Sequence, residues 1–83
     1  MKVNKMREVE IGKIYRHFKS YEKLYKVEDI GVDSETLKEK VIYRALYGDN
    51  KLWVRDKDDF LSEVGVRDDN VTNQTYKFEM YDK

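Results

Sequence analysis

Apolar and polar side chains alternate along several short segments of the chain, which predicts strands rather than helices. The predicted strands are residues 13–19, 24–32, 41–46, 52–55 and 76–81. A bend is predicted in the second strand at Gly31, since glycine weakens a strand interior. The pattern therefore indicates a mainly β protein of about five strands.

A β-hairpin over residues 41–55 is the best-defined unit. Two runs of β-branched and aromatic residues flank the turn Gly48-Asp49-Asn50. Alternation places Tyr43 on one face of the first run and Arg44 on the other. Both faces also carry apolar side chains, so the pattern leaves open which face is buried. We expect Trp53 and one tyrosine to stay partly exposed.

Two segments between the strands lack alternation. Residues 33–40 predict a polar loop, in which Ser34 could cap a helical turn too short to stand alone. Residues 56–64 predict one or two helical turns, with Asp56 as N-cap and Phe60 on the inward stripe. Five strands and one helical turn before the last strand predict a small SH3-like barrel or roll. A five-stranded OB-like barrel is the alternative.

The length of 83 residues permits one domain with one modest core. We predict a lead-in over residues 1–10 and a single β-barrel domain over residues 11–83. Seventeen basic and seventeen acidic residues cancel, which argues against a protein that mainly grips a phosphate backbone. Residues 1–55 nevertheless carry a charge of +4 and residues 56–83 a charge of −4, so a basic patch stays possible.

Composition also limits the chemistry. The chain has no cysteine and a single histidine, so a structural zinc site is disfavoured and no cofactor or metal is predicted. Asp56, Asp58 and Asp59 lack the spacing of a calcium loop and predict a helix N-terminus instead. No signal peptide or spanning segment is evident, so we predict a cytoplasmic protein without membrane contact.

Nine residues are candidate ligand contacts: Arg16, His17, Ser34, Glu35, Thr36, Arg44, Tyr47, Trp53 and Arg55. The three arginines lie on predicted neighbouring strands, where they could meet an anion on a shared face or pair with acidic residues across the sheet. Residues 34–36 form a loop that either holds itself together or contacts a ligand.

His17 has two interpretations. It could act as a general base beside the hydroxyl and carboxyl groups of residues 34–36. It could also be a structural histidine that packs beside Tyr15. The second interpretation is favoured, because no triad or nucleophile-elbow spacing accompanies it, and no catalytic residue is predicted.

Four short sequence motifs occur in order along the chain: residues 12–19 (GKIYRHFK), 34–37 (SETL), 43–49 (YRALYGD) and 52–55 (LWVR). Together they resemble a bacterial family classed as a domain of unknown function. The resemblance implies an SH3-type barrel, and it implies no particular activity. The family pattern often has histidine where this chain has Asp33, and proline where it has Asp56.

Three functions remain open. The first is a non-enzymatic interaction module that uses the hairpin of residues 41–55 and the loop of residues 34–37 to hold a protein, a peptide or a small anionic ligand. The second is a nucleic-acid-binding barrel with basic strands. The third, ranked last, is a metabolite-handling enzyme centred on His17. The chain is expected to be a monomer or a weak dimer.

Overall fold

The protein folds as one five-stranded antiparallel sheet with one short helix in the computed structural model, which describes residues 7–81. The elements are β1 (Ile14–His17), β2 (Leu24–Val32), β3 (Glu39–Ala45), β4 (Leu52–Asp56), α1 (Lys57–Phe60) and β5 (Phe78–Met80). The predicted residues 1–6 of the lead-in, and residues 82–83, lie outside the described part.

The strand order is β4-β3-β2-β1-β5, so β1 to β4 form a meander and β5 returns to lie beside β1. This order confirms the predicted mainly β fold with a short helix before the last strand, and it agrees with an SH3-like roll. A meander is not the Greek key of the OB-like alternative.

The irregularity in β2 lies at Glu28 and not at Gly31, where the sequence predicted a bend. The register with β3 shifts between Val27 and Asp29. One inserted residue turns Asp29 outward and brings Ile30 opposite Val41, so an apolar side chain replaces a carboxylate on the buried side. The bounds of β2 are the predicted ones, residues 24–32, because the bulge returns an apolar side chain to the buried face and the strand continues.

The buried side of the sheet, here called the inner face, carries the core. Its buried side chains are Tyr15, Tyr25, Val27, Val41, Tyr43, Ala45 and Phe78. This arrangement decides which face of the hairpin is buried. Ile42 and Arg44 point to the opposite, outer face of the sheet, where they are only partly buried.

The short helix α1 covers the inner face. Asp56 occupies the N-cap position as predicted, but its side chain makes no capping bond and forms an ion pair with Lys40 instead. Phe60 is fully buried and stacks on Phe78, with ring centroids 4.2 Å apart. The edge of the Tyr15 ring meets Phe60 at 5.2 Å. One aromatic side chain therefore fixes the helix to the sheet. No helix within residues 7–81 is long and apolar enough to cross a bilayer.

The described part of the lead-in packs against the domain. Arg7 donates hydrogen bonds of 2.8 Å to the carbonyl oxygens of Leu61 and Phe78. The Glu10 amide donates to the Tyr15 hydroxyl at 2.9 Å, and Val9 is buried. Residues 7–10 are thus part of the folded unit rather than a loose lead-in.

We predict that Phe60→Ala lowers the free energy of unfolding by about 3–5 kcal/mol, the usual cost of truncating a buried phenylalanine. Urea denaturation followed by circular dichroism measures it. Phe60→Leu is the control that keeps most of the apolar volume, and it should cost less. A loss below about 1 kcal/mol for Phe60→Ala would contradict the role of this ring, since surface changes stay in that range.

Candidate ligand-binding site

The structure divides the nine candidate residues into three groups. His17, Tyr47, Trp53 and Arg55 lie on the inner face or at its rim. Arg16 and Arg44 lie on the outer face, and residues 34–36 form the turn between β2 and β3. The candidates therefore do not form one site.

The three arginines do not share a face. Arg44 donates from Nε to Glu28 at 3.1 Å, which is the cross-strand pairing that the sequence offered as an alternative. Arg16 donates from Nε to the Gln74 side chain at 3.2 Å on the same outer face. Arg55 points to the inner face, because it lies opposite Val41. A three-arginine anion site is not assembled.

The loop of residues 34–36 is held by its own backbone. The Asp33 carboxylate accepts the amide of Glu35 at 2.8 Å and that of Thr36 at 3.2 Å. These backbone donors lower the pKa of Asp33. Asp33 thus organises the turn, and Ser34 and Glu35 stay exposed.

His17 lies at the opposite end of β2 from that loop. The His17 amide bonds to Lys23, just before β2 begins, whereas Asp33 follows its end. At a rise of 3.3 Å per residue the two ends are roughly 25 Å apart. His17 therefore cannot share a proton with Ser34, and the general-base arrangement is not formed.

The surroundings of His17 match a structural histidine. Its ring meets Phe78 edge-on, with centroids 4.9 Å apart, and Nδ1 accepts the Lys19 amide at 3.2 Å. Burial lowers its pKa to about 4, and the positive charges of Arg55 and Lys19 act in the same direction. The imidazole is neutral at pH 7, and the proton sits on Nε2.

Two tyrosine side chains, Tyr25 and Tyr47, lie beside His17 at the rim of the inner face. Tyr25 and Tyr47 hydrogen-bond to each other through their hydroxyls. Burial raises the pKa of Tyr25, and the hydrogen bond to Tyr47 raises it further. The Tyr25 ring also meets Tyr43 edge-on at 5.2 Å. The hydroxyl hydrogen bond to Tyr25 holds the Tyr47 side chain at the rim of the inner face.

Arg55 is bound within the fold. Its guanidinium lies 5.0 Å from the Phe78 ring centroid, donates from Nε to the Tyr43 hydroxyl at 3.1 Å, and pairs with Asp59. Asp59 also accepts the Lys77 ammonium at 2.8 Å, and this bond is the main cause of its lowered pKa, with Arg55 adding to it. Arg55 and Lys77 thus share one carboxylate, and the Arg55 guanidinium has its partners within the protein.

Tyr47 and Trp53 line a small cleft at the end of the β3–β4 hairpin. The lining residues are Ala45, Tyr47, Gly48, Asp49, Lys51 and Trp53, and the volume is about 180 Å³. Trp53 is 46% exposed, as the sequence led us to expect. Sites that enclose a whole small molecule usually measure about 300–1,000 Å³, so this cleft suits one side chain. We call it the Tyr47–Trp53 cleft.

A larger depression of about 440 Å³ lies on the outer face. Its lining residues are Gly31, Val32, Asp33, Ser34, Lys40, Ile42 and Val54. Of the nine candidates it contains Ser34 alone, and it is wide open to solvent. Lys40, its one cation, is paired with Asp56.

The nine candidates did not include four residues that surround His17 and Arg55 on the inner face: Tyr25, Tyr43, Asp59 and Phe78. One local signal was available, because Asp59 follows Arg55 by four residues across the start of the predicted helical turn. The others depend on register, since Phe78 meets His17 only when β5 pairs with β1.

The fold and the cleft together define a small antiparallel β module that presents one aromatic recess. The chain belongs to the family described as a protein of unknown function (DUF1653), whose model matches residues 13–80 and thus all five strands. This match confirms the predicted membership of a family of unknown function. No curated protein and no solved structure matches the chain.

We predict that His17 makes folding stability depend on pH. Its folded pKa of about 4 lies below the ordinary 6.5, so the unfolded chain binds the proton more tightly. The stability that the neutral ring contributes is complete above pH 6.5 and is lost as the pH falls toward 4. Urea denaturation at a series of pH values measures this slope.

His17→Asn is the control for that measurement, because it keeps an acceptor for the Lys19 amide but cannot titrate. The carboxylates titrate alike in both proteins, so the difference isolates His17. The variant should show a flatter slope between pH 6.5 and 4. Identical slopes would contradict the partly buried, neutral state of the ring.

Proposed function

We propose that this domain is a non-enzymatic binding module, and that the Tyr47–Trp53 cleft receives one apolar or aromatic side chain of a protein or peptide partner. The half-exposed Trp53 carries the proposal. Large aromatic side chains dominate the energetics of binding surfaces when they line a recess. The ring lies on the inner face opposite Tyr43, in a domain whose phenylalanines are all buried.

The chemistry of the cleft supports a side chain as its occupant. Ala45, Gly48 and the two aromatic rings offer mostly apolar surface, while Asp49 and Lys51 add one charge of each sign. An apolar group is favoured because it displaces water from apolar surface, and the two charged side chains can bind backbone groups beside it. A strongly charged small anion finds less to bind here.

The position of His17 supports a non-enzymatic role. The ring packs against Phe78 and lies roughly 25 Å from the loop of residues 34–36. A general base must lie within hydrogen-bond reach of the proton that it removes. The metabolite-handling hypothesis thus loses its proposed acid–base pair, and we keep the binding module as the conclusion.

Nucleic acid is the second candidate, and charge pairing disfavours it. Two of the basic residues that could contact it already have acidic partners: Arg44 pairs with Glu28, and Lys19, in the turn after β1, lies 3.7 Å from Asp69. Cations that already have acidic partners release fewer counterions when they meet a phosphate backbone. The expected bacterial source and cytoplasmic location remain predictions of the sequence.

We predict that immobilised protein enriches apolar or aromatic peptides from a display library of random extended peptides. Trp53→Ala should weaken the binding of an enriched peptide by about tenfold or more, since a central aromatic anchor contributes at least about 2 kcal/mol. Isothermal titration calorimetry with the wild-type and variant proteins measures the change. The Trp53 indole resonance should shift in the wild-type protein.

Tyr21→Ala is the matched control, because Tyr21 is also an exposed aromatic, at 60%, but lies outside the cleft. It should leave peptide affinity unchanged, and both variants should keep the circular dichroism spectrum of the wild type. Failure to enrich any peptide would overturn the proposal. Indole shifts with a single-stranded oligonucleotide that raised salt reverses would move nucleic acid to first place.

A further inference from the structure

Strand β4 is an open edge of the sheet. Within the described residues the outer strands are β4, with five residues, and β5, with three. Proteins usually protect an edge by making it short or charged. β5 is short, whereas β4 exposes three consecutive apolar side chains: Leu52 at 49%, Trp53 at 46% and Val54 at 62%.

The hydrogen-bond pattern shows which backbone groups of β4 face outward. The Ala45 amide donates to the Lys51 carbonyl at 2.9 Å, so position 51 bonds toward β3. In an antiparallel ladder the bonding positions alternate. Trp53 therefore also bonds toward β3, while the amides and carbonyls of Leu52, Val54 and Asp56 face away from the sheet.

We propose that β4 pairs in antiparallel fashion with β4 of a second copy of this chain, about a two-fold axis at Val54. Val54 then lies opposite Val54 of the other copy, and Leu52 lies opposite Asp56. All three positions are those whose amides and carbonyls face outward. Trp53 of each copy lies opposite Arg55 of the other on the inner side.

The choice of a second copy rests on the self-complementary order of side chains in β4. The guanidinium of Arg55 keeps its contacts with Phe78, Tyr43 and Asp59, so each indole meets the aliphatic stem of the opposite Arg55, and this contact forms twice. Val54 of both copies meets on the outer face, where Leu52 and Ile42 extend the apolar surface. A formal net charge of zero leaves little overall repulsion between the copies.

Other positions of the axis are excluded by charge or length. An axis at Trp53 opposes Lys51 to Arg55, and axes at Arg55 or Asp56 oppose like charges directly. An axis at Leu52 pairs Val54 with Asn50, which lies in the turn with a φ of 55°. Val54 is the position that pairs all five residues of β4 without opposing like charges within the strand; the next pair, Lys51 with Lys57, lies beyond β4, because Lys57 begins α1.

The dimer should be weak. A five-residue edge buries less than the about 800 Å² per partner of a standard interface. Association is therefore expected to depend on concentration.

The test uses the absence of cysteine from the chain. In an antiparallel pair that exchanges hydrogen bonds, the two Cα atoms lie about 5.5 Å apart, within the range of a disulfide. Val54→Cys should therefore form a disulfide-linked dimer under mild oxidation at least about tenfold faster than a cysteine elsewhere, since pairing raises the local thiol concentration. Non-reducing gel electrophoresis over time measures the rate.

Val66→Cys is the matched control, because Val66 is fully exposed in a loop distant in sequence from β4. Equal cross-linking rates for the two cysteine variants would overturn the proposal. Val54→Pro gives an independent test, since it removes an outward amide and spares the ladder to β3. Sedimentation should show the wild type associating at high concentration and Val54→Pro remaining a monomer. A wild type that stays monomeric would also overturn the proposal.

Because neither measurement uses a peptide, failure of the dimer would leave the binding function of the Tyr47–Trp53 cleft standing. Loss of peptide binding would likewise leave the dimer standing.

Discussion

The position of the Phe78 ring is the constraint on which the rest of the structure depends. Strand β5 has three residues, yet it delivers this side chain to the centre of the inner face. Phe60 stacks on the ring and so holds the helix, while His17 and Tyr43 pack against its edges. Arg55 lies above it as well. This one buried ring therefore contacts the helix, strands at both ends of the sheet and a charged side chain. In a domain this small, we expect it to contribute much of the cooperativity of folding.

The charged residues complete the fold rather than create a binding surface. Asp59 joins Arg55 to Lys77 at the edge of the aromatic core, and Lys40 joins Asp56 to Asp33 at the start of β3. Exposed pairs of this kind contribute little stability each, and they set geometry more than energy. The cleft itself is lined by one acidic and one basic residue, Asp49 and Lys51. The proposed partner would therefore meet mainly apolar surface there.

Both proposed contacts use strand β4, on different parts of it. The Tyr47–Trp53 cleft uses the inner side of the strand and the adjoining turn, and the dimer uses its outward backbone edge. Trp53 belongs to both, since its ring lines the cleft and also lies opposite Arg55 of a second copy in the proposed pairing. Dimer formation and peptide binding are therefore expected to influence each other. A partner bound in the cleft contacts the Trp53 ring, and this ring also takes part in the proposed strand pairing.

The sequence by itself determined the strands, the hairpin and the short helix, because alternation and turn residues are local properties. It also predicted that Trp53 stays partly exposed, since a small core has little room for so large a ring. Only the tertiary structure decided the rest. It placed Arg55 on the opposite face from Arg44, separated His17 from the loop of residues 34–36, and brought Phe78 beneath the helix. These outcomes follow from strand register and from a bulge at one position of β2, and register depends on pairing between residues that are distant along the chain.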